Sequence, residues 1–200
     1  MLASLSLLLH FASTLATSPS IHTDLSCRFS LTAWNVSGDS QNSTGAPLVL
    51  GQDGAVYDGP SYQVTSTFAS YQENVYPTLS LSNGSLRAYR ASGVWETNAT
   101  AVASGGLLSW YTSPLFNRDA ARIYSAVEQH DAGVLGVAAY GFDNLWSLCL
   151  FGGAVPGVTQ TNVVFNVSAD TNTSPHELGY DPHSCWKVAL HLVPAGNSVC

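Results

Sequence analysis

The chain predicts an all-β domain: an antiparallel β-barrel, with trefoil-like internal symmetry as one form and a β-sandwich as the alternative. Three observations carry that expectation. Apolar side chains recur at every second residue, the period of a half-buried strand. Gly, Asn and Asp punctuate the chain at short intervals. Roughly ten short runs fall between these turns, the pattern of a barrel or sandwich.

Taken in order, Phe29, Leu31 and Ala33 alternate with Ser30 and Thr32 and predict the first strand of the domain. Gly51-Gln52-Asp53-Gly54 reads as a turn. Ser61–Thr67 is the next strand candidate. Leu79 to Ser82 and Ser85 to Tyr89 flank Asn83-Gly84. Asn-Gly between alternating runs is the strongest short hairpin signal, because both turn residues must take positive φ. Further strands are expected at 107–112, 134–140 and 145–151.

Segment 117–133 supports two readings. Asn117 can cap a helix in which Ala120, Ile123, Tyr124 and Val127 share a face and Gly133 ends the run. The all-β setting instead predicts a loop and then a strand over 122–129. Val163, Phe165 and Val167 alternate with Val164, Asn166 and Ser168, which puts Asn166 on a solvent face. Trp186, Val188, Leu190 and Leu192 alternate with Lys187, Ala189 and His191 and close the chain. Three loose units, each a turn followed by Leu or Tyr, suggest the trefoil-like symmetry.

Composition points to a compartment. Six N-x-S/T acceptor sites, Asn35, Asn42, Asn83, Asn98, Asn166 and Asn172, lie among 11 Asn residues. Chance predicts about two from this composition, so the excess marks a surface meant to carry sugar. Residues 2–16 are an apolar run of signal-peptide length, too short to span a bilayer. The expected organisation is a signal peptide over 1–16 and a single glycoprotein domain over 17–200.

Charged residues make up 10% of the chain, against roughly 25% in ordinary soluble domains. The formal charge is −7, and the few basic residues do not cluster along the sequence. Phosphate binding needs a basic stripe, so nucleic acid is not an expected partner. A basic membrane-binding face is equally lacking.

Cys27, Cys149, Cys185 and Cys200 allow three pairings, and none has the C-x-x-C spacing of a metal or redox site. Cys27 and Cys200 stand at the two ends of the domain, and termini are often close together. Cys27–Cys200 and Cys149–Cys185 are therefore the expected bridges.

Catalytic motifs are lacking. No G-x-S-x-G elbow, P-loop or dinucleotide-binding glycine fingerprint occurs. His176, His183 and His191 cluster in sequence but are read as loop and strand-surface residues, not metal ligands. Asp119, Glu128, Asp131 and Asp143 are candidate acids for glycoside hydrolysis, which needs two carboxylates across a sugar cleft. Nothing in the spacing selects a pair from 13 acids. Of the five tryptophans, Trp146 and Trp186 are expected in the core, and Trp95 and Trp110 as exposed rings for sugar stacking.

Phe29-Ser30-Leu31-Thr32-Ala33 followed by Gly45-Ala46-Pro47-Leu48 resembles the opening of fungal secreted cell-wall proteins of the phialide-associated (PhiA-like) family. Leu79 to Tyr89 resembles that family's "strand, D/N-G-x-L, Tyr" hairpin, and Leu148-Cys149 and Asp181-Pro182-His183-Ser184-Cys185 resemble its late cysteine positions. A Gly-rich segment that many members carry after the hairpin is missing here. The resemblance implies a divergent relative, a strand over 122–129, and an extracellular structural role without catalysis.

The expected function is thus a secreted, N-glycosylated structural or surface protein of a fungal wall or matrix, with wall polysaccharide or wall glycoprotein as partner and no cofactor. A carbohydrate-binding module or secreted effector is the alternative, and a secreted hydrolase the third reading. One outcome is checked directly: protein recovered from culture medium should begin near Thr17 on N-terminal sequencing, and Met1 at that end would refute the leader.

Overall fold

The computed structural model describes residues 20–36, 44–55, 61–112, 120–129, 133–152, 159–167, 179–196 and 200, without the side chains of 52–55 and 61. The leader, Asn42, Asn117, Asp119, Asp131, Asn172 and His176 lie outside that set.

Thirteen strands make up one antiparallel sheet system among the described residues. They are β1 (Ile21–His22), β2 (Phe29–Asn35), β3 (Ala46–Ala55), β4 (Ser61–Thr67), β5 (Thr78–Ser82), β6 (Ser85–Tyr89) and β7 (Trp95–Ala99). The rest are β8 (Ser109–Thr112), β9 (Tyr124–Glu128), β10 (Leu135–Ala139), β11 (Trp146–Gly152), β12 (Thr159–Phe165) and β13 (Trp186–Pro194). Neighbouring pairings close a nine-strand ring in the order β13, β2, β5, β6, β7, β8, β4, β12, β11. Strand β3 bridges β2 and β4, and β1, β9 and β10 lie outside this ring. The strands close on themselves, so the barrel and not the sandwich is adopted.

The chain repeats one plan three times after β1. Units β2–β5, β6–β9 and β10–β13 each contribute a second and third strand that pair with each other: β3 with β4, β7 with β8, β11 with β12. The three third strands then meet. Thr65 of β4 donates its backbone N–H to Leu108, Leu108 donates to Val163 of β12, and Ser66 pairs with Asn162. The first and fourth strands of each unit supply much of the core. Phe29 and Leu31 of β2, Leu79 and Leu81 of β5, and Leu86 and Ala88 of β6 are buried together with Tyr124 and Ala126 of β9. Val137 and Ala139 of β10 and Val188, Leu190 and Leu192 of β13 join them, as do Leu48 and Leu50 of β3, Trp110 of β8, Trp146 and Leu148 of β11, and Val163 and Phe165 of β12. The pairing of second with third strand thus recurs three times, in keeping with the trefoil-like symmetry the sequence suggested.

Local chemistry explains the elements. Asn83 and Gly84 adopt φ of 48° and 74°, and Ser82 faces Ser85 across the turn. Both positive φ angles fit a tight turn whose twist matches the strands it joins. Gly45 has φ of 71°, and a Cβ there would sit 2.6 Å from Trp34 Nε1, so that position also excludes a side chain.

Three expectations are corrected, and the open choice between helix and strand after 117 resolves to a strand at 124–128. Gly51 to Gly54 is not a turn: β3 runs on to Ala55, and the glycine pair is absorbed by a register shift between Gln52 and Gly54. Segment 124–128 is strand β9, held by β10 on one edge and β1 on the other, which overrides its helical spacing. Strand β12 is not two-faced. Val163, Val164 and Phe165 are all buried, because Val164 packs under Tyr180 beside Cys149 while its neighbours face the main core. Asn166 consequently leaves the strand at φ of 48°, half-buried, with Nδ2 donating to Ser104 Oγ at 2.8 Å.

Both expected bridges are present. Cys27 and Cys200 have Cα atoms 5.0 Å apart, and Cys149 and Cys185 have theirs 4.2 Å apart. The first ties both ends of the domain together beside the β2–β13 pairing. The second fastens the segment entering β13 onto β11, where Tyr180 packs on Phe151 at 5.0 Å. A Cys27→Ser/Cys200→Ser variant should lose about 3–5 kcal/mol of unfolding free energy, since that bridge closes the longest loop. Chemical denaturation under non-reducing conditions measures it, and an unchanged midpoint would contradict the assignment.

Candidate functional site

The outer face of β5, β6 and β7 gathers the most unusual chemistry among the described residues. Register sets it out. Ser80, Arg87 and Asn98 lie in one cross-strand row, and Thr78, Tyr89 and Trp95 in the next. In a regular strand, residues three apart point to opposite faces. Here the register shifts between Ala88 and Tyr89, so Trp95 opposes Tyr89 while Asn98 still opposes Arg87. That bulge turns Trp95 to the outside beside Asn98, leaving Thr97 and Ala99 buried.

Three of the six basic residues converge here: Arg28, Arg87 and Arg90. Sequence spacing gave no sign of this, because Arg28 arrives from the segment before β2. Each is engaged. The Arg87 guanidinium lies 4.4 Å from the Trp95 ring centre, and that of Arg28 lies 3.9 Å from the Tyr89 ring. Such contacts are worth about 0.5–1 kcal/mol when exposed. Arg90 clamps Glu96 with both Nε and Nη2, and Tyr76 donates its hydroxyl to the same carboxylate at 3.0 Å. With all three cations committed, the face is no phosphate-binding stripe.

The electrostatics follow from these partners. Hydrogen bonding from Arg90 holds the Glu96 carboxyl below its usual range, against the opposing effect of partial burial. Burial, with Glu96 next to it, raises the Tyr76 phenol. Deeper in, burial pushes the Tyr124 phenol far above its usual range. Beneath the cation–aromatic pair, Arg87 Nε and Asn98 Oδ1 are each buried without a hydrogen-bond partner. Donor and acceptor sit on one cross-strand pair, at a cost of about 1–3 kcal/mol per unmet group.

The two stacking candidates separate. Trp95 is 47% exposed and its Nε1 donates to the Thr97 carbonyl. Trp110 is fully buried, its Nε1 donating to Thr65 Oγ1 at 2.9 Å. The correction has a topological cause: β8 is paired by β7 and β4 on its two edges, so alternate residues must enter the core. Trp186 errs the other way. It is 37% exposed at the rim, where β13 begins, and lines a recess of about 240 Å³ with Trp34, Leu148, Thr161 and Val188. Trp146 is buried as expected, with Nε1 bonded to the Val137 carbonyl.

Among the described residues, the candidate acids and histidines do not assemble. Glu128 lines a second recess, of about 560 Å³, with His22, Asp24 and Leu135. Asp143 accepts from Gln129 Nε2 at 2.7 Å instead. His183 is exposed and His191 stacks on Trp34 at 5.2 Å. Among the described residues no group of three His, Cys, Asp or Glu is placed to hold a metal. The described acceptor asparagines differ in setting: Asn83 is exposed at the hairpin tip and Asn35 at the end of β2, while Asn98 and Asn166 are half-buried.

Sequence reasoning missed Arg87 as the partner of Trp95. Its alternation with Tyr89 along β6 put both on one face, but nothing local marked the bulge on β7. No protein-family model, no curated protein and no solved structure matches the chain.

Glu96 makes a pH prediction. A carboxyl whose folded pKa is depressed contributes stability above its unfolded value and loses it as pH falls through the carboxylate range. Glu96→Gln should therefore flatten the acid limb of the stability curve by less than about 1 kcal/mol, the pair being partly exposed. Denaturation midpoints across that range check the sign, and an unchanged acid limb would contradict it.

Proposed function

We propose that this chain is a secreted, N-glycosylated protein of a fungal wall or extracellular matrix that acts by packing and contact, not by catalysis. The observation that carries the reading is the covalent framework: all four cysteines are bridged, and one bridge joins the two ends of the domain. Disulfides of this kind form and persist in oxidising compartments. The apolar leader, the surplus of acceptor asparagines and the resemblance to phialide-associated wall proteins support the same reading. Its partners are wall polysaccharide or wall glycoprotein.

A second reading is a carbohydrate-binding module, and one observation favours it. Trp95 offers a half-exposed indole on a rigid strand with a guanidinium against it. Flat aromatic rings on sheets suit the apolar face of a pyranose.

Fractionation of a fungal culture expressing the tagged chain tests the proposal. The protein should appear in the wall and medium, move faster on a gel after endoglycosidase treatment, and release no sugar or acid from wall polymers. Retention inside the cell with unchanged mobility would refute it. Sedimentation of the deglycosylated protein with insoluble wall glucan or chitin, lost in Trp95→Ala, would select the binding module instead.

A further inference from the structure

Asn98 is a strand residue, not a loop residue, and that makes its acceptor sequence unusual. Its neighbours are fixed by pairing: Arg87 directly across on β6, Tyr111 directly across on β8, and Trp95 brought onto the same face by the bulge. The amide is oriented as well. Oδ1 is buried without a partner, whereas Nδ2 is not among the buried, unpartnered atoms. Thr100, which completes the acceptor sequence, is pinned by its N–H and hydroxyl to the Ser109 carbonyl. A sugar joined to Nδ2 would emerge over the Arg87 guanidinium and toward Trp95.

We propose that Asn98 carries an N-linked glycan whose first sugar rings lie against Arg87 and Trp95, so that this face is covered by the chain's own sugar. The inference rests on the reading of the chain as a secretory glycoprotein. Three features of this face favour this occupant over a free saccharide. The acceptor lies inside the aromatic face and not at its margin. Trp95 is packed by Arg87 and 47% exposed, which leaves room for a stacked pyranose. And Val94, next to Trp95, is also exposed, so the sugar would cover a small apolar patch that otherwise meets water. The first residue of an N-glycan carries an acetamido group and an apolar ring face, chemistry that suits a guanidinium beside an indole.

The experiment uses the full chain secreted from a eukaryotic host. Glycopeptide mass spectrometry should find Asn98 occupied. Trimming the outer branches of the glycans, with the innermost sugars kept, should leave the melting midpoint unchanged, since only those rings touch the protein. Asn98→Gln should lower the midpoint by about 2–4 °C. The same substitution in a Trp95→Ala background should lower it by much less, because interacting groups are non-additive. Thr100→Ser, which keeps the acceptor sequence, should behave as wild type. An unoccupied Asn98 while other acceptor sites are occupied would overturn this inference and leave the proposed function standing. Additive effects of Asn98→Gln and Trp95→Ala would overturn it too, as would Trp95-dependent binding of soluble oligosaccharide by the fully glycosylated protein. Absence of glycan at every site would instead count against the secretory reading itself.

Discussion

The pairing of β2 with β13 is the constraint on which the rest depends. Seven consecutive residue pairs, from Phe29 with Pro194 to Asn35 with Val188, join the beginning of the domain to its end. No local signal can bring these strands together, because they stand near opposite ends of the chain. Ordering so long a loop costs entropy before the contacts that reward it form, which makes such closure slow and cooperative. Once made, it removes two sheet edges that would otherwise be open to other chains. The Cys27–Cys200 bridge stands beside this seam and limits its fraying.

Closure at the seam also organises the interior. Phe29, Leu31 and Ala33 on β2 and Val188, Leu190 and Leu192 on β13 point into the same core, and the other first and fourth strands add their own pairs of apolar residues. The hairpins β3–β4, β7–β8 and β11–β12 meet one another through β4, β8 and β12. Their meeting point is polar but satisfied: Ser66 Oγ bonds Asn162 Oδ1 at 2.6 Å, and Trp110 Nε1 bonds Thr65 Oγ1. Polar groups so placed stabilise the junction only because each finds a partner; an unpaired one would cost about 1–3 kcal/mol.

The surface reflects a chain with few charges. Arg28, Arg87 and Arg90 do not serve solubility as free cations; they pack on rings or clamp a carboxylate. The one bulge that re-aims Trp95 makes this face possible, and it does so by breaking the period of two at a single point. On the proposed reading, covalently attached sugar would hydrate a surface that is charge-poor and carries half-exposed aromatic rings.

The amino-acid sequence by itself determined the features that act over a few residues. Alternation along Phe29 to Ala33, the Asn83-Gly84 turn, the Ser61–Thr67 strand and the burial of Trp146 were all legible, because strand period and turn φ are properties of the local backbone. The pairing of the cysteines followed from their positions at the ends of the domain. Tertiary structure alone decided the rest. Whether 124–128 became helix or strand depended on β10 and β1 waiting on either side. Trp110 went inside because β8 gained a neighbour on each edge, and Trp186 stayed at the rim because β13 starts there. Val164 was buried because Tyr180, from beyond β12, covers it. Arg28, Arg87 and Trp95 became one face only through cross-strand register and a bulge. Each of these outcomes turns on which strands become neighbours, and periodicity within a strand says which residues share a face but not what that face will meet.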